Sequence, residues 1–399
     1  MVTEIALAVV LVIGAGLLAR SFSYLLDTDP GFNAEGVLTL RVDLPSGAYG
    51  DLRRVADYYA TMTDRLSAVP GVVSVAATAS LPFDQEIPFL GDFVIEDHAV
   101  PKQGEEPRAH YRQITPGYFR SMGIDIVAGR EFERGDDPEA PGAVVINEEL
   151  ARRYFPDEDP IGRTISGLPP HLALGGFLVE GFKIVGVAED VRYFGLAQSP
   201  EPSLYMPVAQ APFRRMSYTL RTSGDPEALA GAVRREIVAL DPMVPVSRMG
   251  TMQAVLASSV ARERFSATLL ALFGAVALAL AVIGIYGVTS YSVSQRVTEM
   301  GIRMAVGADP SEVLRMVMVQ GLRLTGAGLL VGLGGAIALS RVMASQLYGV
   351  SATDPWTFAS VALTLALVSA VATYLPARRA STLDPVLALE GGTGNAAFS

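Results

Sequence analysis

The sequence contains no cysteine, which rules out disulfides, thiolate metal sites and cysteine nucleophiles together. Histidine is nearly as scarce. His98, His110 and His171 stand far apart, none belongs to an H-E-x-x-H, and each reads as a surface or turn residue rather than a metal ligand. There is no G-x-S-x-G elbow for a serine nucleophile. No G-x-x-x-x-G-K-[ST] occurs either, so these residues do not hydrolyse ATP by the P-loop route. The acidic run "PDEDP", with Asp157, Glu158 and Asp159, lacks the spaced oxygen ligands and terminal glutamate of a calcium loop and reads as a solvated turn. No basic run of the kind that grips nucleic acid is present, and the net charge is -10. The expectation is a protein that is not an enzyme and takes no metal, cofactor or nucleic acid.

Apolar residues, in contrast, make up 50% of the chain and the mean hydropathy is positive, so membrane spans are the first thing to test. Crossing a bilayer takes about 20 predominantly apolar residues. Four stretches meet that length: Ile5–Leu26, Phe265–Val293, Leu324–Leu347 and Phe358–Leu375. The long segment between the first and second is of mixed composition and large enough for its own core. The expected fold is therefore an α-helical membrane protein of four transmembrane helices, with a large α+β extracytoplasmic domain inserted between helices 1 and 2. The expected boundaries are 1–26 for the first span, 27–263 for the inserted domain and 264–390 for the remaining spans. Within the last part the spans cover about 265–293, 324–347 and 357–376, with a loop at 294–320, and 391–399 reads as a disordered cytoplasmic tail.

Short loops rich in arginine stay in the cytoplasm. The loop between the second and third spans carries Arg296, Arg303 and Arg315, with Arg323 at its edge, and Arg378 and Arg379 follow the fourth span. The connection "YGVSATDPW" has no basic residue. Parity then puts 27–263 outside the cytoplasm and the N-terminus inside. Arg262 and Arg264 oppose the rule, but beside a long domain, where it is weak. The opening "MVTEIALAVVLVIGAGLLARSF" has no basic n-region and is long for a signal-peptide core, so it reads as a retained anchor. The lack of a positive residue before it is odd for an inside-facing end and is expected if sequence continues upstream.

Within the spans, Gly328, Gly332, Ala336 and Ser340 recur every four residues, as do Ala362, Ala366 and Ala370. Such stripes let helix backbones approach closely, at a helix–helix or subunit interface. Arg341 lies near the outer end of its span, within snorkelling reach of the headgroups. No carboxylate or histidine ladder of the kind an ion-coupled carrier uses is seen inside the spans.

In the inserted domain, "VLTLRVDL", an amphipathic helix from Asp51 to Ala68 and "VVSVAATA" make a β-α-β opening. "AHYRQI", "AVVINEELARRYF" and "FKIVGVAEDV" continue the mix between turns such as "LPSGAYGD", "DDPEAPG" and "SGLPPHLALGG". A last helix, Pro226 to Leu240, leads to a polar helical approach, Thr251 to Arg264, expected to run straight into the second span.

The loop "QRVTEMGIRMAVGADPSEVLRM" divides into two helices. Val297, Met300, Met304 and Ala305 give the first an apolar side, and Glu299 and Arg303 are spaced for an i,i+4 ion pair. Gly307 stops it. Asp309 caps the second, with Pro310 at its first position and Glu312 at its third in a capping-box arrangement. On the residues alone, a short one-faced helix here suits either docking in a groove on another protein or lying on the membrane surface.

The C-terminal part, "LFGAVALALAVIGIYGVTSYSVSQRVTEMGIRMAVGADPSEVLRMVM" through "LPARRASTLDPVLAL", resembles the FtsX-like permease domain of MacB-type ABC transporters. "ITPGYFRSMGIDIVAGREF", "VVINEELARRYFPDEDPIGRTI" and "IVGVAEDVRYFGL" resemble the MacB-like periplasmic core domain. Together they cover nearly the whole chain, and the chain looks most like the second half of the duplicated orphan permeases of acidobacteria. The resemblance implies a multi-pass protein of the bacterial inner (plasma) membrane with its large domain outside the cytoplasm. It implies a permease subunit that pairs with a second permease half, a homodimer partner or the N-terminal half of a duplicated chain, beside a separate cytoplasmic ATPase. Such subunits transmit nucleotide-driven motion to the outer domain, a mechanotransmission that serves efflux through an envelope partner or other envelope work. In that family the ATPase-coupling element falls at "TEMGIRMAVGA", here Glu299, Met300, Gly301, Ile302, Arg303 and Gly307. The alternative reading is a membrane-anchored sensor or binding module of the cell envelope that moves no cargo, and coupling to an ATPase separates the two.

Overall fold

A computed structural model describes residues 2–84, 89–98, 104–167, 181–296, 299, 302 and 309–381. The chain divides into a helical unit, Met1–Asp27 with Arg262–Ser399, and an inserted unit, Thr28–Ala261. In chain order, α1 (Val2–Leu26) precedes β1 (Val37–Asp43), α2 (Leu52–Ser67), β2 (Val72–Thr78), β3 (Phe89–Asp92), β4 (Val94–Ile95) and β5 (Arg108–Ile114). Next come α3 (Tyr118–Met122), β6 (Ile126–Gly129), β7 (Gly142–Asn147), α4 (Glu148–Tyr154), β8 (Thr164–Ser166) and β9 (Phe182–Ala188). The inserted unit closes with β10 (Ser203–Pro207), β11 (Arg215–Thr222), α5 (Pro226–Leu240), β12 (Val246–Thr251) and α6 (Met252–Ser259). Three long helices follow: α7 (Ala261–Gln295), α8 (Pro310–Val342) and α9 (Pro355–Ser381).

The β-α-β opening is a split one. β11 lies between β1 and β2 and pairs antiparallel with both, while β12 pairs on the far edge of β1. Asp51 starts α2 by accepting the amide of Arg53, and Val55, Tyr59, Met62 and Leu66 recur at helical spacing to bury its inner face. That face meets Leu38, Leu40, Tyr218 and Leu220 from the sheet and Val233 and Ile237 from α5 in one apolar core. Between β2 and β11 the chain inserts a second half, β5-β10-β7-β9-β8-β4, in which β5–β10 and β7–β9 are parallel. The two halves share one sheet but meet through a single register pair, Thr78 with Ile114, after which the sheet forks. A groove of about 780 Å³ opens beside the fork, floored by Ala56 and Ala60 of α2 and walled by Thr115, Arg134 and Val208.

The phrases of the inserted unit that carry the family resemblance turn out to be caps, bulges and close approaches. Asn147 ends β7 and caps α4, accepting from the amides of Leu150 at 3.2 Å and Ser203 at 2.8 Å while donating to Asp190 at 2.6 Å. Gly117 and Gly123 bracket α3 with φ of 86° and 66°. At the bulge between β6 and β9, Gly129 faces Gly186, and a Cβ on Gly186 would stand 2.2 Å from the carbonyl oxygen of Arg130. Only glycine fits there. Arg130 then holds Asp136 through two bonds of 2.8 and 2.9 Å, closing the turn that follows. Arg112, fully buried, lies with its guanidinium 3.2 Å from the ring centre of Tyr193 and bonds Ser80 at 3.1 Å.

Two expectations about the long helices change. The third begins at Pro310, not Leu324, and ends at Val342, because Glu312 and Arg315 lower the hydropathy of its first turns without interrupting the backbone ladder. It is one helix with the second helix expected of the loop. The polar approach to the second span is not continuous either: α6 ends at Ser259, and Val260 leaves helical conformation at φ -105° and ψ 7° before α7 starts. All four long helices are long and apolar enough to cross a membrane. The tail at 391–399 and the turn at His171 lie outside the described residues.

Replacing Gly186 by Ala forces β9 away from Arg130. Thermal unfolding of the chain followed by near-ultraviolet circular dichroism should show the inserted unit destabilised by about 1–3 kcal/mol.

Candidate coupling site and helix interface

In the helical unit, α1 and α8 touch through their smallest residues. A Cβ on Gly328 would stand 2.8 Å from the Cβ of Ile5, and one on Gly332 would stand 2.6 Å from the Cβ of Val9 and 3.0 Å from the Cα of Ala6. Ala336 and Ser340, the next residues of the stripe, are 2% and 4% exposed. Contacts advance together along both helices, so α1 and α8 run parallel. Gly321 meets Thr373, and Gly16 meets Thr357, which makes α9 antiparallel to both. Gly274 against Val12 and Gly14 against Leu270 make α7 antiparallel to α1. This alternation is what four successive crossings require. On α9 Val361, Leu365, Ser369 and Thr373 are buried every four residues, while Ala362, Ala366 and Ala370 are only half-buried one position along.

At the end where α1 finishes, the α8–α9 connection is fastened to α1. Asp354 caps α9, accepting from the Thr357 amide at 2.9 Å and its hydroxyl at 2.7 Å, and Arg20 of α1 reaches the same carboxylate at 2.5 Å. The Thr357 hydrogen bonds hold the Asp354 carboxyl below the usual range, so it stays ionised and available to Arg20. Next to it the amide of Tyr348 donates to the Ser21 hydroxyl at 2.7 Å, and Gly349, with φ of 66°, lies against the ring of Tyr24. The reading of the sequence missed this fastening. The Asp-Pro start of α9 matches those of α5 and α8 and was open to discovery, but nothing marks Arg20 as its partner 334 residues away.

At the opposite end, Asp309 accepts the Ser311 amide at 2.8 Å with Pro310 in the first turn of α8, and hydrogen bonding from the Ser311 side chain, then from its amide, lowers its carboxyl's pKa. Val293 of α7, Val317 of α8 and Ala377 of α9 close a small apolar cluster there. Beside it the end of α7 and the start of α8 form a groove of about 810 Å³ lined by Arg296, Arg315 and Arg323, with Glu312, Met316 and Val319. Of the coupling residues, Glu299 and Ile302 are helical, and Ile302 is 50% exposed. Met300, Gly301, Arg303 and Gly307 lie outside the described residues. Among the histidines, His110 is buried with Nε2 2.6 Å from Glu201 and its ring 4.7 Å from that of Phe194; burial lowers its pKa against the pull of Glu201. His98 rests on Phe155 near Glu158, whose carboxylate bonds Arg163 at 2.7 Å within the "PDEDP" turn.

Comparison with known proteins turns this geometry into a family. Residues 2–239 match the MacB-like periplasmic core domain, and residues 271–385 match the FtsX-like permease C-terminal domain. The chain belongs to the MacB-type ABC transporter permeases. It is 27% identical over 90% of its length to the "Macrolide export ATP-binding/permease protein MacB" of Hahella chejuensis, covering 52% of that protein. With the "Probable syringafactin export ATP-binding/permease protein SyfD" of Pseudomonas syringae it shares 26% identity over 77% of its length, covering 47% of that protein. The chain thus spans about half the length of the curated relatives it matches. A solved structure, the periplasmic region of MacB from Actinobacillus actinomycetemcomitans, aligns at a TM-score of 0.38 and 16% identity, over 59% of this chain and 97% of that one. As a MacB-type permease the chain is a multi-pass membrane protein with its inserted unit extracytoplasmic. Within the helical unit, the basic groove lies at the end of the bundle opposite the Arg20–Asp354 fastening.

The glycine contacts are tested by a matched pair on α8. Gly332→Ala should destabilise the solubilised chain by about 1–3 kcal/mol through overlap with Val9. Gly334→Ala, with nothing within 4 Å of its new Cβ, should instead gain up to about 1 kcal/mol from helix propensity. Thermal unfolding in one detergent compares the two, and equal effects would remove α1 as the cause.

Proposed function

We propose that this chain is a mechanotransmitting permease subunit: a separate cytoplasmic ATPase engages the α7–α8 connection, and the motion is passed to the extracytoplasmic domain. The observation that carries the reading is the unbroken run of α8 from its Asp309 cap to Val342, about 50 Å of helix at 1.5 Å per residue. A push at Pro310 on such a rod arrives at its far end. There α8 is gripped by α1 along the glycine stripe, and Arg20, Ser21 and Tyr24 bind the next connection to the same helix. α1 leads directly into Thr28 and the inserted unit. The stripe of Gly328, Gly332, Ala336 and Ser340 is thus assigned to rigid coupling between α1 and α8.

The ATPase contact is proposed at Glu299, Met300, Gly301, Ile302, Arg303 and Gly307, with Arg296, Arg315 and Arg323 framing it. Ile302 exposes an apolar side chain in the same connection whose ends carry Arg296 and Arg315, and charged protein interfaces combine apolar anchors with such cationic residues. The domain boundaries at 27–263 and 264–390, the inner membrane as location, a second permease half and an envelope partner belong to the same proposal. So does efflux or other envelope transport, which the names of the relatives support without naming a substrate for this chain. The groove at the fork of the sheet supports the second reading, a membrane-anchored binding module, since it offers a ligand-sized cavity independent of any motor.

The absence of native cysteine makes the test clean. Ile302→Cys in the full chain, co-expressed with a candidate ABC ATPase bearing single cysteines on its surface, should crosslink at one patch. Arg303→Glu, Gly307→Pro and Arg315→Glu should each weaken ATPase association about ten-fold or more. Wild-type association and ATPase activity in all three variants would overturn the coupling assignment and favour the binding module.

A further inference from the structure

Between α7 and α9 the helical unit leaves a groove of about 440 Å³ whose walls are aliphatic: Val282 and Ile283 on α7, and Leu367, Val368, Val371 and Leu375 on α9. Its one polar group is the hydroxyl of Tyr286, which accepts a hydrogen bond from Arg379 Nη1 at 2.9 Å. The groove is therefore apolar along its length and ends at the Arg379 guanidinium, and Arg378, the preceding residue of α9, is exposed as well. From Leu367 to Leu375 it extends about 12 Å along α9, most of one leaflet of a ~30 Å hydrocarbon core. Arg379 is also where the apolar span of α9 ends, the level at which a side chain leaves hydrocarbon for headgroups.

We propose that this groove is a binding site for an anionic phospholipid of the leaflet facing the α7–α8 connection, one acyl chain lying between α7 and α9 and the phosphate held by Arg379 and Tyr286. The charge decides the occupant. A zwitterionic lipid fills the same walls but gains little net attraction from two adjacent arginines, whereas an anionic headgroup gains from each basic residue near the surface. Guanidinium and phosphate also match in geometry, two parallel N–H donors against two oxygens. A helix from a second copy could cover the same walls, but it would leave the arginines facing apolar side chains. A lipid here touches both α7 and α9, so it bears on how far α7 separates from the other three helices. This inference does not depend on ATPase coupling.

The test uses the full chain in nanodiscs of phosphatidylcholine doped with phosphatidylglycerol carrying a diazirine midway along one acyl chain. After illumination, mass spectrometry should find Ile283 and Val371 labelled about five-fold above Leu272 and Leu330, exposed apolar residues elsewhere on the spans. A phosphatidylcholine probe with the same chain should label all four alike. Arg379→Gln should bring the phosphatidylglycerol labelling down to the reference level, and Arg379→Lys should keep part of the enrichment. Val371→Trp, which fills the groove, should abolish labelling of Ile283, and Leu367→Trp serves if that variant fails to fold. Equal labelling at all four residues, or enrichment that survives Arg379→Gln, would reduce the site to ordinary boundary lipid. Crosslinks joining Ile283 to a second copy would also overturn the proposal.

Discussion

In hydrocarbon, helices gain nothing from hiding apolar side chains from one another, so what holds a membrane bundle together is contact itself, close enough for dispersion to accumulate. The approach of α1 to α8 at Gly328 and Gly332 supplies that contact, with branched carbons of Ile5 and Val9 against bare backbone. From it follow the parallel course of the two helices, the antiparallel course of α9, and the meeting of the outer end of α1 with the α8–α9 connection. Arg20 and Asp354 then act on an arrangement already set, which is the condition for a half-exposed ion pair to hold one geometry.

The extracytoplasmic unit obeys a different constraint. Water is present, three apolar cores form, and the difficulty is to let one sheet serve two halves. A single register pair at Thr78 and Ile114 joins them, and the strands then diverge around a groove. The divergence is sustained by residues with no chemistry of their own: Asn147 occupied on every polar atom, Asp136 gripped by Arg130, and Gly129 facing Gly186 across a bulge. The phrases that carry the resemblance are thus built of residues that hold the scaffold in shape.

Local chemistry was the most legible part of the sequence. Asp51, Asp225 and Asp309 start their helices by capping them, two of the three with Pro next in the chain, because a cap needs only the next three residues. The alternation of "VLTLRVDL" and the helical spacing of Val55 to Leu66 are equally local. Less legible was the start of α8, since hydropathy registers where charge enters and not where a helix begins. The buried residues of α9 lie one position from the Ala362–Ala366–Ala370 stripe for a related reason: alanine marks small volume, while Leu365 and Thr373 face inward because of what lies opposite them.

Composition and periodicity by themselves determined four apolar spans, one large insertion and the caps of individual helices, because each rests on residues within one or two turns of each other. The family followed from phrases equally local in the chain. Tertiary structure alone decided that β11 enters between β1 and β2, that Arg20 serves Asp354, that Gly332 needs its hydrogen while Gly334 does not, and that Tyr286 and Arg379 close the end of an apolar groove. Each of these joins residues tens to hundreds of positions apart, and no local rule carries the distance between them.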